Sequence, residues 1–344
     1  MDFWDIANIA NAISDANNNK NSSTTTTNNN LNKNKKKKKA PFKEQLKNTV
    51  FLLKNTFKIV WMNKDIFTPT KASITYSIVL RVIFFTMAGM FFINPLIGFI
   101  LLLIWTTGFI YKFFYFAKQK SNQSYLVFNT ISGKNLSYEE GLSYIKNDFN
   151  KYKSIAFIDM LRGYIEKANN GNSGGIKGMI MSLFLSGLEE VLDLVSNYLL
   201  PAMVIENKGI VKVTDDLKGI KGNIPEALVW VFWIDFLWSA INKLFGIIYF
   251  TLFLVSGLIG WWIGFISETL VITIAEFNIS LIPIIIVIFI ASIISVIILR
   301  MVDGVKVVYF SIFYTNIMKS EVILDELKTD LNSYLKFQKT DEVK

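Results

Sequence analysis

The sequence predicts an all-α, polytopic transmembrane helical bundle, and three apolar runs carry that prediction. Leu244–Ile266 contains no charged residue, and at about 1.5 Å per residue it is long enough to cross a roughly 30 Å hydrocarbon layer as one helix. Ile279–Leu299 is a second uncharged run, and Val82–Tyr111 is a third, which Asn94-Pro95 interrupts. Because only a backbone whose hydrogen bonds are closed internally is stable in lipid, these runs predict four spans of a multi-pass membrane protein.

The composition excludes several classes of enzyme. A chain that is 52% hydrophobic and 15% aromatic is too apolar for an ordinary soluble domain. It contains neither Cys nor His, which removes disulfides, thiolate catalysis, histidine triads, zinc sites built on these residues and histidine proton relays. The chemistry that remains is a Ser-Lys pair or a carboxylate pair such as Asp159 and Asp235. We expect a protein that is not an enzyme and that has no metal site and no cofactor.

The net charge of +9 comes mostly from lysines outside the apolar runs. That placement is typical of a surface that faces anionic lipid head groups, and it does not indicate a nucleic-acid partner. The densest run of like charge consists of five consecutive lysines, Lys35, Lys36, Lys37, Lys38 and Lys39. The run serves either as a topology signal or as a contact with anionic lipid, worth roughly 1 kcal/mol per lysine near the surface.

The first forty residues divide into two parts. Residues 1–16 form a short amphipathic segment that contains the apolar side chains of Phe3, Trp4, Ile6 and Ile13. The segment is either a docking peptide, for a protein partner or for the membrane interface, or a frayed terminus. Residues 17–40 are rich in Asn, Thr and Lys and are predicted to be a disordered tether, because they have almost nothing to bury. Residues 41–320 then form the multi-pass membrane domain, and residues 321–344 form a cytoplasmic tail.

A surface helix precedes the first two spans. Apolar residues recur every three or four positions between residues 42 and 60, with lysines between them. This pattern predicts a basic amphipathic helix on the membrane surface, which ends at Thr68-Pro69. The first span is expected over about Ala72–Ile93, and the second runs from the Asn94-Pro95 turn to about Phe116.

Two further helices are predicted at the membrane surface. Ser137 and Glu140 have the spacing of a capping box, which predicts the start of an amphipathic helix that extends toward Ile165. Val302–Met318 is predicted to continue the last span as a helix at the interface.

Four charged residues inside apolar stretches are the candidates for an intramembrane site. Arg81 is near the middle of the first span, where a charge costs roughly 2.5–3.5 kcal/mol and needs a partner or water. The acidic candidates are Glu189, Asp193 and Asp235. Arg81 is a contact for an ion or substrate, half of a structural ion pair with one of these acids, or an arginine whose side chain reaches the interface.

Two acid-containing segments decide whether the bundle has four spans or six. Residues 179–205 and 225–241 are otherwise apolar. They either both cross the membrane or both enter it partway, because an even number of crossings keeps the ends of the chain on one side. Six spans are favoured, with Pro201 interrupting the end of the first segment.

Ser256, Gly260 and Gly264 recur every four residues within the uncharged run Leu244–Ile266. Small side chains at that spacing allow membrane helices to approach closely. The three residues are therefore predicted to form a helix-packing surface.

The distribution of lysine and arginine predicts the orientation. These residues fill the flank before Ala72, the segment 112–177 and the region after Leu299, whereas residues 267–278 contain none. By the positive-inside rule, both termini face the cytoplasm and residues 267–278 face outward. We expect a multi-pass protein of the cell membrane.

A short motif provides one resemblance. Residues 200–209 have the sequence LPAMVIENKG, which resembles an uncharacterised family of prokaryotic multi-pass membrane proteins that carry Pro-x-x-Val-x-Glu-x-x-Gly at the end of a membrane helix. Here the motif residues are Pro201, Glu206 and Gly209, and further similarity lies at Ser137…Gly141-Leu142 and at Tyr309…Tyr314. The likeness covers roughly residues 42–318. It implies a helix-break motif in a membrane domain of about six helices, and it brings no established activity.

Two functions are compatible with these features. The tethered amphipathic segment, the basic surface helix and the missing catalytic residue types favour a non-enzymatic membrane scaffold or partner-docking protein. The intramembrane charges favour the alternative, a transporter or channel for a small solute or ion.

Overall fold

A computed structural model describes residues 54, 56–171, 196, 199–210, 212–213, 244–263, 271–274 and 277–328. Within these residues, four helices are long and apolar enough to cross a membrane: Lys64–Ile93, Pro95–Ile131, Leu244–Ile263 and Ile282–Asn316. The predicted multi-pass helical membrane bundle is thereby confirmed, and each of these helices overlaps one of the four spans that the apolar runs predict.

The described elements follow one another as helices with a single short hairpin. They are α1 (Thr68–Ile93), α2 (Pro95–Ile131), α3 (Tyr138–Gly171), α4 (Leu244–Ile263), β1 (Val271–Ile274), β2 (Phe277–Ser280) and α5 (Ile282–Met318). A 3-10 turn over Lys64–Phe67 precedes α1, and a second one over Ser320–Val322 follows α5.

Asn94 makes the tight turn between α1 and α2. Its backbone is extended, with φ −146°, and its N–H donates to the Met90 carbonyl at 2.8 Å, which ends α1. Its side-chain oxygen accepts from the N–H groups of Leu96 and Ile97 at 3.1 and 3.4 Å. Because Asn is a preferred N-cap and Pro suits the first turn of a helix, Asn94-Pro95 ends one span and begins the next.

The first helix, α1, is an antiparallel neighbour of both α2 and α5. Tyr76 of α1 donates its hydroxyl to the Gly108 carbonyl of α2 at 2.9 Å, and Phe85 of α1 lies edge-to-face against Phe289 of α5, with ring centroids 5.0 Å apart. The end of the bundle at which α1 begins and α2 and α5 end is called the basic end here, because Lys71, Lys134 and Lys319 lie there.

The helices continue beyond the predicted spans at the basic end. The sequence placed the end of the second span near Phe116, but α2 runs on to Ile131, and α5 is one helix through Met318. The extension of α2 buries a polar series: Gln119, Ser121, Asn122, Gln123, Ser124, Asn129 and Thr130. Neighbouring helices satisfy several of these groups, since Gln123 donates to the Thr70 hydroxyl at 3.1 Å and Ser311 donates to Ser124 at 2.8 Å. A polar helix is therefore compatible with a buried position here.

Two hydrophobic clusters complete the core of the basic end. One joins α2, α3, residues 199–213 and α5 around Tyr152 and Tyr314, and the other joins α2 and α5 to Ile66 and Leu327. At the end of the bundle opposite the basic end, by contrast, large apolar side chains are exposed, such as Phe92 at 84% and Ile93 at 80%. Exposed apolar side chains are expected where lipid surrounds the spans, and buried clusters are expected where protein packs against protein at the basic end.

One local prediction needs correction, and one element was not predicted. The surface helix does not end at Thr68-Pro69. Residues 56–62 are helical and the break comes at Asn63, whose extended backbone and side-chain cap begin the 3-10 turn, while Pro69 lies in the first turn of α1. Between α4 and α5, Val271–Ile274 pairs antiparallel with Phe277–Ser280, a hairpin that the sequence analysis does not predict. Residues with branched side chains favour such pairing.

The predicted capping box at the start of α3 is confirmed. Ser137 donates its N–H and its hydroxyl to the Glu140 carboxylate at 2.7 and 2.8 Å, and the Glu140 N–H donates back to the Ser137 hydroxyl at 3.3 Å. These bonds hold the pKa of Glu140 below its ordinary value, because they favour the charged form.

Candidate functional site at the basic end

Charged side chains from α2, α3 and α5 converge where the apolar parts of the spans end. Lys120 of α2 pairs with Asp159 of α3, with Nζ 2.9 Å from Oδ2. On α5, Arg300 pairs with Asp303 three residues later, with Nη1 2.7 Å from Oδ2. These four side chains are only 12–20% exposed. We call them the charge network.

Positive charge is in excess around this network. Arg162 and Lys306 lie near enough to Asp303 to act on its charge, as do Arg300 and Lys120. Four cations therefore face the two carboxylates Asp159 and Asp303. Because opposite charges at short range favour the ionised form, both carboxylates are held among cations that stabilise them as anions.

Asp159 has the most complete set of partners. Besides Lys120, it accepts a hydrogen bond from the Ser196 hydroxyl at 2.6 Å. Burial by itself would raise the pKa of Asp159, but the charges of Lys120 and Arg162 and the bond from Ser196 outweigh burial and hold that pKa below its ordinary value. Asp159 is thus a buried carboxylate that joins α2, α3 and residue 196.

Arg300 lines a small polar cavity beside the network. Its guanidinium carbon lies 3.9 Å from the centroid of the Phe116 ring, a cation–π contact. Its Nε atom is buried without a hydrogen-bond partner in the described part of the chain. The cavity is also lined by Thr70, Gln123 and Gly304 and measures about 10 Å³, which is the space of one water molecule.

The resemblance motif forms a second polar cluster, centred on Asn207. Residues 199–206 are helical, and Asn207 follows in the left-handed region with φ 52°. The Lys208 N–H donates to the Met203 carbonyl at 3.1 Å, the bond of a Schellman cap, in which Asn is a common alternative to Gly. Pro201 therefore lies within the helix, buried, and the break falls at Asn207 because Asn tolerates that backbone conformation.

The side chains of this motif connect it to α3 and α5. The Asn207 amide oxygen accepts from Lys151 at 3.0 Å and from the Tyr152 hydroxyl at 3.2 Å, and its nitrogen donates to Asp148 at 3.4 Å. Burial raises the pKa of Tyr152 well above its usual range, which keeps the hydroxyl a donor.

Glu206, the motif residue just before Asn207, contacts α5. It accepts from the Tyr314 hydroxyl at 3.4 Å and pairs with Lys319 at 3.3 Å and Lys208 at 3.8 Å. The motif thus holds together three segments that are distant in sequence.

The structure describes some of the site residues that the sequence predicts and not others. Arg81 is exposed on α1 and has no ion pair or hydrogen bond with the described residues. Its candidate partners Glu189, Asp193 and Asp235 lie outside the described residues, so the pairing stays a prediction. Gly209 follows the Asn207 turn, and a side chain there would meet no atom within 4 Å.

Two of the three small residues in α4 are buried. Ser256 is 2% exposed and donates to the Phe253 carbonyl at 2.7 Å, and Gly260 is buried as well. Gly264 lies outside the described residues, so helix packing at these three positions stays a prediction. The same holds for the N-terminal candidates, since residues 1–53 are not described.

Sequence reasoning missed the charge network and the role of Asn207. Arg300 and Asp303 have an i, i+3 spacing that predicts a pair on one helix, but Lys120 and Asp159 are 39 positions apart. Nothing local in the sequence joins those two.

Comparisons with known proteins find no match: no family model matches the chain, and neither a curated protein nor a solved structure is significantly similar to it. The described residues show the coarser property alone, four long apolar helices consistent with a multi-pass membrane protein.

Proposed function

We propose that this chain is a non-enzymatic membrane scaffold that holds a rigid helical platform at one face of the cell membrane and docks a protein partner there. The platform consists of α2 beyond Phe116, α3, residues 199–210 and α5 beyond Asp303. The observation that carries the proposal is that α2 and α5 pass without a break from exposed apolar spans into this packed platform. An anchor that continues as part of the platform fixes its position relative to the bilayer.

Cross-connections within the platform support a scaffold that keeps one arrangement. Lys120–Asp159 ties α2 to α3, Asn207 ties residues 199–210 to α3, and Glu206 ties the same residues to α5. The Lys120–Asp159 pair is the most buried of these connections, and it favours a single arrangement because breaking it leaves an unpaired buried charge.

The finer features of the proposal come from the sequence. The lysine distribution favours the cytoplasm for the basic end and both termini. Residues 1–16 serve as the docking segment, and Lys35–Lys39 contact anionic lipid of a prokaryotic membrane. Because residues 199–205 belong to the platform at the basic end, residues 179–205 and 225–241 enter the membrane partway, which is the alternative to six spans that the sequence leaves open.

Affinity purification in mild detergent, followed by mass spectrometry, tests the docking role. We expect a partner that copurifies with the full chain and is lost when residues 1–34 are deleted. A full chain in which Lys35–Lys39 are changed to Gln is the matched control, and it should keep the partner. The same partner list for the full chain and the deletion would contradict the proposal.

A transporter or channel is the second candidate, and the charge network favours it. Ion pairs between helices at the boundary of a bilayer are an arrangement that transport pathways use. Solute and ion flux into liposomes, compared between wild type, Arg81→Leu and the charge-conserving Arg81→Lys, tests this candidate. Flux that Arg81→Leu abolishes and Arg81→Lys retains would replace the scaffold by a transporter, and no flux across a broad panel would leave the scaffold as the better function.

A further inference from the structure

One face of α3 carries a straight row of exposed side chains that changes from basic to apolar along the helix. The row consists of Lys146, Lys153, Phe157, Met160 and Tyr164, which are spaced seven, four, three and four residues apart. This spacing keeps all five on one helix face. The apolar members are large and open, with exposed fractions of 50% for Phe157, 41% for Met160 and 74% for Tyr164.

The apolar half of the row packs against α2 where the apolar part of that helix ends and the platform begins. Phe157 packs edge-to-face on Phe114 of α2, with ring centroids 5.6 Å apart, and a side chain at Gly163 would contact Phe113 of α2 at 3.8 Å. Phe113 and Phe114 belong to a helix that is apolar enough to span the membrane. The exposed face of α3 is thus continuous with the lipid-facing surface of α2.

A third lysine, on α2, lies near the basic half of the row. Lys118 of α2 lies near enough to Lys146 for the two charges to repel each other. Within the described residues, Lys118, Lys146 and Lys153 have no ion pair and no hydrogen bond. Lys153 lies two helical turns from Lys146 on the same face. An anion bound beside Lys118 and Lys146 would relieve their repulsion.

The length of the row matches one leaflet. Eleven residues separate Lys153 from Tyr164, or about 16 Å along a helix, and half of a hydrocarbon core is about 15 Å. The apolar side chains from Phe157 to Tyr164 cover about 10 Å of that length, and lysines at one end with apolar side chains beyond them match the phosphate and part of the acyl chain of a single lipid.

We propose that this row, together with Lys118, binds an anionic phospholipid, with its phosphate among the three lysines and an acyl chain along Phe157, Met160 and Tyr164. The site differs from the lysine run at residues 35–39 because it belongs to the folded bundle. It goes beyond the scaffold proposal and does not depend on the identity of any protein partner.

The absence of cysteine from the sequence makes a direct test straightforward. Met160→Cys is labelled with a fluorophore, and the protein is reconstituted into phosphatidylcholine liposomes that contain either brominated phosphatidylglycerol or brominated phosphatidylcholine. We expect the brominated anionic lipid to bind at this position about fivefold more tightly for each lysine that contacts it. A label at Leu103→Cys, which is 55% exposed on α2, should show no such preference.

Charge variants separate a site from a general surface potential. Lys146→Gln with Lys153→Gln should bring the ratio of the two lipids to nearly one while thermal unfolding stays unchanged. Lys71→Gln with Lys134→Gln removes the same charge from the basic end but outside the row, and it should leave the ratio unchanged.

Four results would overturn the proposal. Equal quenching by both lipids in the wild type excludes an anionic site, and an equal loss of preference in both double variants shows a surface potential instead. Quenching of the label by aqueous iodide but not by brominated lipid would place the face in water. Shielding from both quenchers would mean that protein covers it.

Discussion

Asp159 is the residue at which a single change should most disturb the basic end. Asp159→Asn keeps the shape of the side chain but leaves Lys120 and Arg162 without their carboxylate. Because breaking a buried pair leaves an uncompensated charge, we expect it to lower the free energy of unfolding by about 3–5 kcal/mol. Unfolding in detergent, followed by intrinsic fluorescence, measures this.

Asp148→Asn on the same helix is the matched control. Asp148 pairs with Lys151 at 2.9 Å, but both side chains are more than a third exposed, so solvent screens the pair. We expect little change in stability, and an effect as large as that of Asp159→Asn would show that burial does not decide the strength of these pairs.

Acid should remove the contribution of Asp159. Its pKa is lower in the folded protein than the ordinary value of 3.8. The stabilisation is therefore fully present above 3.8 and is lost as the pH falls from there through the folded pKa. The difference in unfolding free energy between wild type and Asp159→Asn should be constant near neutral pH and shrink below 3.8. A difference that does not depend on pH would argue against the ionised pair.

Asn207 combines a backbone role with a side-chain role, and two variants separate them. Asn207→Gly keeps the left-handed backbone accessible and loses the bonds to Lys151, Tyr152 and Asp148. Asn207→Ala loses the same bonds and adds the steric cost of a positive φ, about 1–2 kcal/mol. Thermal unfolding should therefore rank wild type above the Gly variant and the Gly variant above the Ala variant. The reverse order of the two variants would contradict the role of the turn.

At the scale of elements, α1 and α5 lie close together at Gly304. A Cβ atom there would collide with the hydroxyl and methyl groups of Thr70. We expect Gly304→Ala to lower the free energy of unfolding by about 1–3 kcal/mol, the usual cost of overpacking. Because Thr70→Ala removes the colliding atoms, the double variant should be more stable than the sum of the two single effects predicts. Additive effects in a double-mutant cycle would show that the helices separate freely at this point.

The elements differ in how well the sequence predicts them. The spans follow from uncharged runs of sufficient length, and the start of α3 follows from the Ser137–Glu140 capping box, because both depend on local chemistry. The extension of α2 beyond Phe116 does not, because Gln119–Ser124 resembles an exposed polar segment until Thr70 and Ser311 on other helices supply its partners. The hairpin was missed because Phe277–Ser280 and its partner strand are only four residues long.

The sequence predicts the candidate site less well than it predicts the helices. Arg81 can be recognised from the local sequence alone, because a charge within an apolar run is costly wherever the rest of the chain lies. The partners of Lys120 and Glu206 depend on how α2, α3 and α5 pack, which one sequence does not reveal. The motif at residues 200–209 indicated a helix end, but the break lies at Asn207 rather than at Pro201.

For the whole molecule, the orientation of the bundle is open to a direct test. The lysine distribution predicts that the α2–α3 turn faces the cytoplasm and the hairpin faces outward. A membrane-impermeant maleimide should label Asn278→Cys in intact cells, and it should label Lys134→Cys only after the membrane is permeabilised. Both positions are exposed, so each serves as the control for the other. The opposite pattern would invert the proposed topology.

The unbroken α2 couples the bilayer to the platform mechanically. With 37 residues, it is a rod of about 55 Å, of which little more than half lies in the hydrocarbon core. Spans adapt to a thicker or thinner membrane by changing their tilt. A change of about 5° at one end of such a rod moves the other end by about 5 Å. A change in membrane thickness that tilts α2 would therefore move the surface of the platform.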